Sequence, residues 1–185
     1  MAFDQLEFVP LSLVFRILFL AVAVVAGIYD WRFRRIPNWL TLAGVIAGFS
    51  GHFYLEGPAG LLISAKGFGM AALIYVALYL ARAMGAGDVK LMAALGSIAG
   101  PMNWFLFFLA SSILGAVAAI AMTLAHGRFY STLWNVGQIV KELTLFRAPY
   151  KRQPQLDLHH TNALRIPRGT VIGVTALLLV IGHWL

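Results

Sequence analysis

Residues 9–35 read VPLSLVFRILFLAVAVVAGIYDWRFRR. From Val9 to Tyr29 the run is apolar except for a few positions, of which only Arg16 is charged. A helix crossing the roughly 30 Å hydrocarbon core of a bilayer needs about 20 mostly apolar residues, and this run supplies them. The run ends on an acid, Asp30, followed by Arg32, Arg34 and Arg35. Basic residues gather on the cytoplasmic side of membrane proteins, so the stretch predicts a membrane helix whose C-terminal end faces the cytoplasm.

The rest of the chain repeats this pattern. Further apolar segments run from Trp39 to Leu55, Gly60 to Ala81, Val89 to Gly100, Trp104 to Ala125 and Gly169 to Leu185. Of the 185 residues, 61% are hydrophobic and 11% charged, against about 45–50% and 25% in an average soluble domain. No stretch is long and polar enough for a separate soluble core, so residues 1–185 read as a single all-α, polytopic membrane domain with about six transmembrane helices. Asp4 and Glu7 precede the first basic residue, Arg16. This start is unlike a secretory signal, so the first segment is expected to be retained. Lys66, inside the third segment, is expected to snorkel to the outer surface.

The connectors orient the segments. Three arginines follow the first segment, Arg82 and Lys90 flank the gap between the third and fourth, and seven basic residues lie between Arg128 and Arg168. Twelve of the fourteen basic residues thus fall on alternate connectors. That pattern predicts six crossings with both termini outside. The fourth segment is short, about 18 Å at 1.5 Å per residue. An odd number of crossings would nevertheless place the basic 126–168 loop outside. A short fourth helix would set Asp88 in a recess of the cytoplasmic leaflet. Within the 126–168 loop, Phe129, Leu133, Val136, Val140 and Leu143 recur at helical spacing, predicting an amphipathic interfacial helix. The net charge of +7 is accounted for by these loops, so no nucleic-acid partner is expected. With no cysteine and the histidines 52, 126, 159, 160 and 183 scattered, neither a disulfide nor a metal site is expected.

Of seven acidic residues, five lie in an outer terminus, an outer turn or the polar loop, namely Asp4, Glu7, Glu56, Glu142 and Asp157. Asp30 and Asp88 instead sit at cytoplasmic ends of membrane helices, where an ionisable group is costly. Asp88 lies in Gly85-Ala86-Gly87-Asp88-Val89-Lys90. There the glycines would permit a tight bend or the close approach of another backbone, and the Asp could serve as a helix N-cap. Asp30 could be an ordinary interfacial charge. Taken together, however, two carboxylates at one face can share a proton, one activating water while the other hydrogen-bonds a scissile carbonyl. Two intramembrane acids could also relay protons or ions in a non-enzymatic protein.

Tyr29-Asp30, Ile36-Pro37-Asn38 and Gly85-Ala86-Gly87-Asp88-Val89-Lys90-Leu91 resemble the type IV prepilin peptidases, which belong to the GxGD intramembrane aspartyl proteases. The likeness extends to Arg165-Ile166-Pro167-Arg168-Gly169 and covers almost the whole chain. It implies a six-helix peptidase of the bacterial inner membrane that removes the basic leader of prepilins or pseudopilins at the cytoplasmic face. By that resemblance Asp30 and Asp88 are the catalytic pair and no cofactor is used. The paired cysteines of the larger, methylating members are absent, which points to the short Flp or tight-adherence branch. A related archaellin-type leader peptidase would carry the same motif.

Gly85, Gly87, Lys90, Pro37 and Asn38 are expected to bind substrate or shape the site. Pro37 and Asn38 are expected to set the turn and the start of the second helix. Lys90 could pair with a substrate carboxylate, pair with Asp30, or act as an inside-facing anchor. Asp88 at a helix N-terminus and Asp30 at a helix C-terminus would differ in charge preference, making Asp88 the base and Asp30 its protonated partner.

Overall fold

The computed structural model describes residues 12–81, 84–125, 127, 134 and 168–182. Among these the regular structure is entirely helical: α1 (Leu13–Phe33), α2 (Asn38–Leu80), α3 (Ala86–Ala125) and α4 (Arg168–Ile181). The amphipathic helix expected within 126–168 falls almost wholly outside the described residues. Three helices, α1, α2 and α3, are long and apolar enough to cross a membrane, fewer than the six expected. The difference arises because α2 and α3 each join two apolar segments through a Gly-Pro pair, and because α4 has only 14 residues.

Both joints are breaks in the helix. Gly57 (φ 63°, ψ −146°) precedes Pro58, and Gly100 (φ 73°, ψ 173°) precedes Pro101. Only glycine adopts that region without strain, and proline removes a backbone donor and clashes with the carbonyl four residues earlier. The chain folds back at the first joint. A Cβ on Gly48 would lie 2.6 Å from Ser97 Oγ, while the Ser64 hydroxyl donates to the Ser97 carbonyl at 2.8 Å. Sixteen residues of straight helix would separate positions 48 and 64 by about 24 Å, so both can meet Ser97 only if the arms 38–56 and 58–80 lie side by side. The arms of α3 likewise both face the second arm of α2. Ala71 lies against Gly96, and Tyr75 meets Trp104 edge-on at 6.2 Å.

The break in α3 exposes carbonyls that a lipid environment cannot hydrate, and each unpaired group there would cost several kcal/mol. Side chains satisfy three in succession. Ser64 donates to Ser97, His52 Nε2 to the Ile98 carbonyl at 3.1 Å, and Asn103 to the Ala99 carbonyl at 3.2 Å. His52 is buried, stacked on Phe15 at 4.1 Å, with Nδ1 3.7 Å from Glu56 Oε2.

Every residue from 91 to 100 is buried. This arm is the axis of the bundle, surrounded by the other helices, and therefore need not match the thickness of lipid; its shortness follows from its position. The core around it combines Phe15, Phe19, Leu91, Leu95, Trp104 and Phe107. Helices α1 and α4 pack antiparallel and close, and Thr170 Oγ1 donates to the Gly27 carbonyl at 3.1 Å. That pairing brings the start of α4 beside the end of α1, where Asp30 lies.

Candidate functional site

Asp30 occupies the last turn of α1. Its backbone carbonyl accepts from Arg34 N–H at 2.9 Å, and Arg34 ends the helix in the left-handed conformation (φ 52°, ψ 35°). The carboxylate, half-buried, points elsewhere: Oδ2 accepts from the Gly169 N–H at 2.7 Å. Gly169 is the second residue of α4, and first-turn amides have no partner within their own helix and carry partial positive charge. A Cβ on Gly169 would lie 2.7 Å from Asp30 Cβ. Only glycine admits the carboxylate here.

Asp88 is the third residue of α3. Its backbone N–H donates to the Gly85 carbonyl at 3.1 Å, and Oδ2 accepts a long bond, 3.4 Å, from Gly85 N–H. Gly85 therefore takes the N-cap position, and Asp88 reaches back from N3 as the acid of a capping box does. Asp88 is thus not the N-cap itself. Both carboxylates stand at helix N-termini, Asp30 at that of α4 and Asp88 at that of α3. The asymmetry from which Asp88 was expected to be the base is absent: it took Asp30 to face only the end of its own helix.

The charges of Asp30 and Arg168 both bear on Asp88, so the two acids lie within mutual electrostatic reach and Arg168 offsets part of their repulsion. Tyr75, buried on α2 among Trp104 and Phe108, is within reach of Asp88 and Arg168. Neither Tyr75 nor Arg168 stands out individually in the sequence. Tyr75 is one aromatic in an apolar segment, and Arg168 is one of twelve basic residues on its side.

The segment between α1 and α2 lies over the first turn of α3. Ile36 lies beside Gly87, where an added Cβ would make ordinary van der Waals contact with Ile36 Cβ at 3.6 Å. Pro37 (φ −68°, ψ 134°) is the N-cap of α2 without a side-chain cap bond, and Asn38 is the first helical residue. Pro37 and Asn38 thus set the turn and the start of α2, as expected. Lys90 Nζ donates to Asn38 Oδ1 at 3.0 Å, which is neither of the two partners expected for it. Gly85 and Gly87 have neither a positive φ nor a crowded neighbour; an added Cβ would meet nothing nearer than 3.8 and 3.6 Å. Among the described residues no other backbone approaches either glycine closely.

Asp30, Asp88, Gly85, Gly87, Lys90, Pro37 and Asn38 thus gather at one end of the bundle, joined by Arg168 and Gly169. Among the described residues no group of three or more His, Cys, Asp or Glu side chains could hold a metal ion. Two neighbouring carboxylates can in general share a proton and polarise a water. The family model of the type IV leader peptidases matches residues 17–120. The match contains both acids and stops short of α4, so it is narrower than the likeness across almost the whole chain expected from the motifs. No curated protein and no solved structure gives a significant match.

Proposed function

The chain belongs to the type IV leader peptidase family, and from that premise we propose that it is a membrane-embedded aspartyl endopeptidase removing the leader of Flp-type prepilins or pseudopilins. Family membership implies a peptidase. The observation that carries the finer reading is that Asp30 and Asp88 are brought from different helices to one end of the bundle, where the segment leaving Asp30 lies against the turn of Asp88. One carboxylate takes a proton from water as the water oxygen adds to the scissile carbonyl carbon. The other, protonated, donates to the carbonyl oxygen. Collapse of the tetrahedral intermediate breaks the C–N bond, and the departing amine takes up the proton held by the base. Arg168 and Tyr75 line this centre. Gly85, where an added Cβ would meet no described atom nearer than 3.8 Å, leaves room for the approach of a substrate backbone.

The same reading puts six helical segments across the bacterial inner membrane, namely α1, the two arms of α2, the two arms of α3, and α4. Both termini lie outside and the acid end faces the cytoplasm. The alternation of basic connectors supports this orientation. Co-expression with a pilin precursor tests the function. Asp30→Asn and Asp88→Asn variants that insert normally are expected to leave the precursor uncut. Efficient cutting by either variant would remove the two-acid mechanism and bring forward a proton-relaying, non-enzymatic protein. Cleavage of an archaellin-type precursor alone would reassign the substrate.

A further inference from the structure

Asp30 and Asp88 belong to different helices, so the reaction proposed above depends on what fixes the start of α3 against the end of α1. Asn38 follows Asp30 by eight residues, and Lys90 follows Asp88 by two. Their side chains meet at 3.0 Å although 52 residues separate them. Both are exposed. Asn38 has no local use for its side-chain oxygen, because Pro37 holds the N-cap position of α2 and no side-chain cap bond is made there. Its backbone carbonyl serves Thr41 Oγ1 at 3.0 Å, which leaves Oδ1 to Lys90. Among the described residues Lys90 is thus tied to an amide. Beside this bond, Ile36 packs on Gly87 in the turn that carries Asp88.

We infer that Lys90 and Asn38 form a strut, braced by Ile36 on Gly87, that holds the Asp88 turn against the segment leaving Asp30. Lys90 is then a positioning residue acting through Asn38 and does not hold substrate. The inference deepens the peptidase reading and rests on it for its kinetic consequence. Its structural consequence stands separately.

The structural test uses the absence of cysteine from the chain. Ile36→Cys with Gly87→Cys places two Cβ atoms at 3.6 Å, within the roughly 3.5–4.5 Å span of a disulfide. In native membranes this pair is expected to cross-link under mild oxidation, and Lys90→Met added to it is expected to slow the cross-link several-fold. An unchanged rate in Lys90→Met would overturn the strut, as would failure of the parent pair to cross-link.

The kinetic test compares Lys90→Met, Asn38→Leu and their combination on a precursor. Because misplacement of a catalytic group by about 1 Å can cost up to about a hundredfold, each single variant is expected to lose roughly ten- to a hundredfold in kcat with KM unchanged. The combination is expected to lose no more than either alone, and Asn38→Asp, which keeps a partner for Lys90, is expected to retain most activity. Losses that multiply, or a change confined to KM, would make Lys90 a substrate ligand and end the proposal. Should the wild type cut no leader at all, the peptidase reading fails while the cross-linking result still decides the strut.

Discussion

The two ends of α3's first arm are built in opposite ways. Toward Gly100 the arm is enclosed on every side, and glycines there are demanded by contact: a Cβ on Gly96 would run into the Gly67 carbonyl oxygen. Toward Gly85 the same helix opens. Asp88 is half-buried, Lys90 is exposed, and the two glycines of the motif have room for a methyl group. Close packing specifies one end through steric exclusion. At the other, a few hydrogen bonds hold the two acids while the packing beside them is looser. Glycine therefore has two separable roles in one helix, and substitution can tell them apart.

The largest effect is expected at the acids. Asp30→Asn or Asp88→Asn should lower precursor cleavage by at least about a thousandfold while melting in detergent stays near that of the wild type, which would place the acids firmly at the open, functional end. Next comes the packed end. Gly96→Ala should destabilise the protein by about 3 kcal/mol, because backbone would have to move to admit the methyl group; a melting temperature equal to wild type would break the contrast at its root.

His52→Ala should cost about 1–3 kcal/mol by leaving the Ile98 carbonyl unsatisfied, read as a lower detergent melting temperature. Smallest in stability are the motif glycines. Gly85→Ala and Gly87→Ala should alter stability by no more than about 1 kcal/mol, with Gly87→Ala able to raise it through the lower entropy of its unfolded chain. Cleavage should nevertheless fall markedly. A variant that melts earlier in proportion to its lost activity would show the two ends to be alike.

Much of this comparison is legible in residue order. The Gly57-Pro58 and Gly100-Pro101 pairs fall between the apolar segments read from the sequence and are the places where the helices break. Asp30 and Asp88 stand out because acids at the ends of apolar runs are rare, and both prove to lie at one end of the bundle. The crossing count was less secure, since apolar length alone does not separate a lipid-facing helix from one sheathed by its neighbours. Residues 91–100 look like a deficient span in sequence and are buried throughout.

Composition and order by themselves determined the all-helical class, the family, the break points and the two acids, because partition between lipid and water and the backbone limits of glycine and proline act locally. Only the tertiary structure decided that Asp30 turns its carboxylate to the start of α4, 139 residues away. The same holds for Lys90 meeting Asn38, and for Tyr75 and Arg168 coming within reach of Asp88. Those pairings depend on which helices lie side by side and in what register, a property of packing that no single segment carries.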